Sequence, residues 1–159
     1  MRRIQKTCAL ATIVACQAAL AQVPAPESPV SSEDAQQIAM LLATCAGVWD
    51  AMSEGAASNE SPASAEQLRN MGNGAETAAM WVLASHMAMT EKKATKYGSW
   101  SELTRPKRES GKTMIRALAE NSGQKEINAE LELCQTLLTE QEKILQRMRM
   151  DRVRQAQGE

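Results

Sequence analysis

The stretch IAMLLATCAGVWDAM, residues 38–52, decides the fold of this chain. Its apolar residues recur at intervals of three and four, which places them on one face of an α-helix. Ser31 or Ser32 can cap this helix, and two acidic residues follow in its first turn, where negative charge suits the helix dipole. The polar run that begins at Gly55 predicts its end. The apolar face consists of Ile38, Leu41, Leu42, Cys45, Val48, Trp49 and Met52.

A second helix is predicted from near Ser64, because Ser64 and Gln67 have the spacing of a capping box. Gly72 and Gly74 each weaken a helix by about 1 kcal/mol relative to Ala, so we expect a kink or a short break there. The apolar face of this helix is predicted to consist of Leu68, Met71, Ala75, Ala78, Val82 and Met89.

Residues 99–111 are predicted to form a connector, since Pro106 opposes a continuous helix. Trp100 and Leu103 lie within this connector and are expected to pack on the core. A short helix over residues 112–121 should follow it, and the Ser-Gly pair after that helix should end it.

The last helix is predicted from about Gln124 to Arg154, with apolar positions that alternate between spacings of four and three. This spacing is typical of helices packed in a bundle, and Gln141 interrupts the seam with a polar side chain. The seam consists of Ile127, Leu131, Cys134, Leu138, Gln141, Leu145 and Met148, and it is widened by Leu133, Leu137 and Ile144.

The composition favours the same fold class. Phe is absent, Tyr97 is the only tyrosine, and hydrophobic residues make up 43% of the 159 residues. Good helix formers therefore replace the aromatic residues that strands prefer. We predict an all-α protein, a small helical bundle of about four helices, whose single domain spans residues 33–155.

The charge of the chain argues against nucleic acid as a partner. The formal net charge is −1, from 18 basic and 19 acidic residues. Arg2, Arg3 and Lys6 belong to the predicted leader described next, so the remaining chain would be more acidic still. A nucleic-acid binder would normally present a net basic surface.

The first 21 residues have the order of a secretory signal peptide. A basic segment at Arg2, Arg3 and Lys6 precedes a short apolar stretch, and the small-residue site that ends at Ala21 suits cleavage before Gln22. The apolar run is shorter than the roughly 20 residues that span a bilayer. We therefore expect a periplasmic or secreted protein, cleaved near Ala21.

A second interpretation concerns where the leader is cut. The sequence Ile-Val-Ala-Cys that ends at Cys16 resembles the bacterial lipobox, which implies lipidation of Cys16 and a protein tethered to a membrane facing the periplasm. Residues 22–32 are rich in Pro and Ser and lack an apolar pattern, which predicts a disordered segment. This segment would be a tether if Cys16 is lipidated; contact with a membrane is expected only in that case.

Two cysteines remain after either cut, Cys45 on the first helix and Cys134 on the last. Each lies on the apolar face of its helix, and an oxidising compartment favours their pairing. The alternative is two separate buried thiols. We predict a disulfide that joins the first and last helices and contributes about 4 kcal/mol in the chain-entropy model.

The stretch of residues 80–89 is a weak candidate for a metal site. Thioether and imidazole groups suit Cu(I), so His86 with Met87 or Met89 could begin a copper or small-ligand carrier site. Such methionines more often fill a core that lacks Phe. We expect no cofactor, with copper as the alternative.

His86 is the only histidine and no Gly-x-Ser-x-Gly elbow is present, so we predict a non-enzymatic protein.

Protein contacts are the function class that remains. Trp49, Trp81 and Trp100 would be natural anchors for a partner if exposed, although all three could equally be core residues. The arginine-rich end of the last helix, residues 147–154, could touch anionic lipid or an acidic partner, or be a solvated helix end. We expect another protein as partner, with an inhibitor, immunity-type, adaptor or chaperone-like role; a membrane-tethered accessory factor is the alternative.

Overall fold

The structure is a computed structural model, and it describes residues 32–91 and 97–158. Four α-helices follow one another: α1 is Ser32–Ser58, α2 is Pro62–Glu91, α3 is Ser101–Glu120 and α4 is Gln124–Gln157. A single 3₁₀ turn, Tyr97–Trp100, leads into α3. The described part of the chain contains no strand, so the all-α prediction is confirmed.

The predicted signal peptide of residues 1–21, with Cys16, lies outside the described residues, as does the Pro-rich segment up to residue 31. Among the residues that the structure describes, no helix is long and apolar enough to cross a membrane.

Helix α1 is the centre of the bundle, and it contacts each of the other three helices. It runs antiparallel to α2, since Ser53 Oγ donates a hydrogen bond to the carbonyl of Ala65 at 2.7 Å, whereas Gly72 lies farther along α2 against Ala46. It runs in the same direction as α3, since Asp50 binds Arg108 and Glu54, one turn later on α1, binds Lys112, one turn later on α3. With α4 antiparallel to α1, as the apolar clusters described next show, the four helices form an up-down-up-down bundle.

Two apolar clusters fill the bundle, one above the other along its axis. The first cluster consists of Ala39, Leu42, Ala43, Ala78, Ala79 and Leu83, covered by side chains that include Trp100 and Leu145. The second consists of Cys45, Val48, Trp49, Ile115, Ile127 and Cys134. The first draws its α4 residues from 137–145 and the second from 127–138, so α4 runs antiparallel to α1.

The disulfide between Cys45 and Cys134 joins α1 to α4, with 5.4 Å between the two Cα atoms. The prediction of this bond is confirmed. The apolar register of both helices explains it, because each cysteine falls in the buried seam of its own helix. The predicted seam of α4 is confirmed in the same way: Ile127, Cys134, Gln141 and Met148 are its buried residues.

The predicted connector over residues 99–111 is wrong. Helix α3 begins at Ser101 and continues through Pro106 without a break. Pro106 lies early in the helix, where its missing N–H removes only one intrahelical hydrogen bond. Farther along α3, Arg108 and Gly111 hold this helix against α1. Leu103 does not pack on the core; it is 53% exposed, because α3 turns that face to solvent.

Three smaller expectations were also wrong. Helix α1 continues past the exposed Gly55 and ends at Ser58, after which Glu60 takes a left-handed φ of 57°. Helix α2 is unbroken at Gly72 and Gly74, because close neighbours occupy the space that their missing side chains leave. Leu133 does not widen the seam of α4, since it lies on the exposed side of that helix.

Candidate functional site

A shallow groove runs between the first turns of α1 and the start of α3. Its volume is about 550 Å³, and it is open to solvent along its length. The α1 residues that line it follow one another at intervals of three and one, which is the spacing of a single helix face, and this face lies opposite the one packed on α2. We call it the α1–α3 groove; its lining residues are Glu33, Gln36, Gln37, Met40, Leu41, Thr44 and Lys107.

The groove starts where α1 and α3 touch backbone to backbone. A Cβ atom added at Gly47 would lie 1.8 Å from the carbonyl oxygen of Arg108, and one added at Gly111 would lie 2.2 Å from that of Thr44. Only glycine permits such an approach. Thr44 and Lys107, next to this contact, line the groove, so we infer that it occupies the space where the two helices diverge.

Apolar side chains are exposed at the groove. Leu41 on α1 is 42% exposed and lines the groove, with the half-buried Met40 beside it. Leu103 precedes Lys107 by one turn on α3 and shares its face of that helix, but it is not among the residues that line the groove. Lys107 and Glu33 supply opposite charges within the same groove. The groove can thus offer apolar contact together with polar groups that orient a ligand.

A network of ion pairs holds the helices that form the groove. Arg108 on α3 donates to both carboxylate oxygens of Asp50 on α1, at 2.6 and 2.7 Å. It also donates to Glu76 and, at 3.0 Å, to the side-chain carbonyl of Asn73, both on α2. These charged side chains are less than one-fifth exposed. The hydrogen bonds that Arg108 donates to Asp50, and then the one that it donates to Glu76, raise the pKa of Arg108, whereas burial opposes this shift.

A second ionic group lies farther along the same two helices. Glu54 on α1 pairs with Lys112 at 2.7 Å and with Arg116 at 2.5 Å, both on α3. The hydrogen bond from Lys112 lowers the pKa of Glu54; desolvation opposes this shift and Arg116 adds to it. Because this group is largely solvated, it contributes less to stability than the Arg108 network.

The three tryptophans have different environments. Trp49 is buried in the second cluster at 3% exposure, so the expectation that it could anchor a partner does not hold for this side chain. Its Nε1 has no hydrogen-bond partner among the described residues. Trp81 is half-buried on α2, and Trp100 is half-buried against the first cluster. For Trp81 and Trp100 an interaction role stays a prediction.

The predicted copper ligands lie near the end of α2. His86 and Met87 are half-buried, and the side chain of Met89 lies outside the described part of the chain. Within residues 32–91 and 97–158, no three His, Cys, Asp or Glu side chains group where they could hold a metal ion. Copper binding stays an untested prediction.

Sequence reasoning did not find the Arg108 network or the contact between Gly47 and Gly111. Asp50, Glu76 and Arg108 are far apart along the chain, and nothing in their spacing predicts that they meet. The signal that could have been used was Gly47, a glycine in the middle of a strongly periodic helix, where close approach of another backbone is a common reason for glycine.

Comparison with known proteins gives no relative. No family model matches the chain, and neither a curated protein nor a solved structure is significantly similar to it.

Proposed function

We propose that the chain is an exported, non-enzymatic helical protein that acts by binding another protein in the α1–α3 groove. Its role would be that of an inhibitor, an immunity-type protein, an adaptor or a chaperone-like factor. The observation that carries this proposal is the exposed Leu41 in an open groove, next to the point where backbone contact and the Arg108 network hold α1 and α3 together.

The groove suits a helical or extended segment of a partner. Helix-in-groove recognition uses apolar anchors that enter a hydrophobic channel with polar groups along its edges. Met40 and Leu41 would receive the anchor, while Lys107 and Glu33 would select the charges beside it. Because the walls are held by Gly47, Gly111 and Arg108, little ordering of the scaffold would oppose binding.

Export is supported by the Cys45–Cys134 bond, since disulfides form and persist in oxidising compartments. The product would be periplasmic or secreted after cleavage near Ala21, or tethered by a lipid on Cys16. The mass of the chain purified from cell envelopes tests this: a chain that begins at Gln22, or at a lipidated Cys16, is expected. A full-length chain confined to the cytoplasm would refute export.

Site-specific photo-crosslinking tests the groove. A photoreactive amino acid replaces Leu41 in one variant and Leu133 in the other; these two leucines are 42% and 43% exposed but lie on different helices. We expect one defined protein to be crosslinked from position 41 and not from 133. The additional change Lys107→Glu, on the opposite wall, should weaken that crosslink. Equal crosslinking from both positions, or none from position 41, would contradict the proposal.

A further inference from the structure

The end of α4 extends past the last side chain that this helix buries. Met148 is that last buried residue, and α4 continues to Gln157. The side chains after Met148 are exposed, except that of Asp151, which is half-buried. The final turns of α4 are therefore a surface segment, which we call the α4 end, residues 147–157.

Two apolar side chains lie together on the outer face of the α4 end. Met150 and Val153 are 53% and 55% exposed. They are three residues apart, so they are neighbours on the helix, and the 100° step per residue directs them away from the face that carries Met148. Because removing apolar side chains from water is favourable, both could gain free energy by entering an apolar environment.

Arginines flank this apolar pair on both sides. Arg149 precedes Val153 by one turn, and Arg154 follows Met150 by one turn, so the two guanidinium groups lie on either side of the pair. Both arginines are exposed, and neither forms an ion pair with the described residues. Residues 147–157 carry four arginines and one aspartate, in a chain whose formal net charge is −1.

The α4 end lies at the same end of the bundle as the start of α1. Cys45 and Cys134 set the two antiparallel helices level with each other. At about 1.5 Å per residue, α4 rises roughly 30 Å from Cys134 to Arg154, and α1 extends roughly 18 Å from Cys45 back to Glu33. The α4 end therefore begins near the level of the first turn of α1, and Arg154 lies roughly 12 Å beyond that level.

We propose that the α4 end binds the surface of an anionic phospholipid bilayer. Met150 and Val153 enter the headgroup layer, and Arg149 and Arg154 pair with lipid phosphates beside them. An apolar face bordered by basic residues is the arrangement of helices that lie in a membrane interface. The surface is convex and its apolar part is small, so it suits a deformable bilayer better than a protein, which would have to supply a matching groove. This binding does not depend on the α1–α3 groove or on its partner.

Vesicle co-sedimentation tests the proposal with the chain purified from cells as the Cys16→Ser variant, so that a lipid on Cys16 cannot itself hold the chain on the vesicles. Vesicles contain phosphatidylcholine alone or phosphatidylcholine mixed with phosphatidylglycerol. We expect binding to the mixed vesicles only, and weaker binding as salt rises. Each basic residue near an anionic surface strengthens binding about fivefold, so Arg149→Gln with Arg154→Gln should weaken it by roughly 25-fold. Met150→Ser with Val153→Ser should weaken it by roughly tenfold.

Matched controls separate a binding surface from a general loss of charge or of folding. Arg69 and Lys125 are exposed toward the opposite end of the bundle, so Arg69→Gln with Lys125→Gln removes the same charge and should leave vesicle binding unchanged. Arg149→Lys with Arg154→Lys should retain binding, because lysine keeps the charge. Equal binding to both kinds of vesicle would overturn the proposal. An equal loss of vesicle binding in the Gln variant at the α4 end and in the Gln variant at Arg69 and Lys125 would also overturn it. An α4 end that binds an acidic protein and no vesicle would overturn it too.

Discussion

The contact between Gly47 and the backbone of α3 is the feature whose removal has the largest consequence for the groove. A Cβ atom at this position would lie 1.8 Å from the carbonyl oxygen of Arg108 and 2.6 Å from the amide nitrogen of Lys112. Real Cβ atoms essentially never approach another heavy atom within 3.0 Å, so Gly47→Ala must move α1 and α3 apart by more than 1 Å. Both neighbours are backbone atoms and cannot rotate away.

The expected cost follows from two opposing effects. Overpacking a well-packed contact costs about 1–3 kcal/mol and at times more, and we expect the upper part of this range because two helix backbones must separate. Replacing Gly by Ala inside a helix gives back about 1 kcal/mol. Gly47→Ala should therefore lower the free energy of unfolding by about 2 kcal/mol. With a slope of about 2 kcal/mol per molar urea, the midpoint should fall by roughly 1 M.

Gly55→Ala is the matched control. Gly55 lies in the same helix and is exposed, and a Cβ atom there would meet nothing within 4 Å. The same substitution should therefore stabilise the chain, by about 0.5–1 kcal/mol. Urea unfolding of both oxidised variants, followed by circular dichroism, measures the two shifts. If Gly47→Ala raised the midpoint as Gly55→Ala does, the backbone contact between α1 and α3 would be refuted.

The remaining predictions concern the disulfide, the ion pairs and the copper alternative. Replacing both cysteines of the disulfide by alanine should lower the free energy of unfolding by about 4.6 kcal/mol, from the 89-residue separation and the chain-entropy model, less any native strain; a midpoint in urea unchanged from that of the oxidised chain would contradict this. Arg108→Leu leaves two carboxylates without their cation and should cost about 2–4 kcal/mol, whereas Arg116→Leu, at an exposed pair, should cost less than about 1 kcal/mol; equal costs in thermal unfolding would count against the network. The pKa of Glu54 is lowered, so its ion pairs contribute stability above its ordinary value of 4.5, and this is lost as the pH falls through the lowered pKa. The difference in unfolding midpoint between the unaltered chain and Glu54→Gln should therefore become smaller as the pH falls. A difference that does not change with pH would be evidence against this contribution of Glu54. In a competition titration with Cu(I), we expect His86→Ala to behave as the unaltered chain does; a loss of binding in this variant would favour the carrier function.

Much of the fold could be predicted from the sequence because helix patterns are local. The spacing of apolar residues placed Cys134 and Met148 in the buried seam of α4, and Cys45 in that of α1. The same periodicity did not decide how far each seam extends: Leu41 and Leu133 fit the pattern but lie exposed at its edges. Whether a residue at the edge is buried depends on which helix lies beside it, which periodicity does not contain.

The candidate site could be predicted much less well than the fold. The groove depends on Gly47 and Gly111, which lie on different helices and far apart in the chain, and the sequence places Gly111 at the end of a supposed connector. The expectation that Pro106 prevents a helix was wrong for a related reason. The proline removes a backbone hydrogen bond and weakens α3 locally, but contacts between α3 and α1 elsewhere along the helix outweigh this loss.

By itself, the sequence determined that this chain is helical and that Cys45 and Cys134 each lie on the buried face of their own helix, since both follow from side chains a few residues apart along single helices. Only the tertiary structure decided that α1 and α3 touch at Gly47, that Arg108 ties three helices together, that Trp49 is buried and that Leu41 is exposed. These features depend on which faces of distant segments meet, and that choice is made by the packing of the whole bundle rather than by any stretch of residues alone.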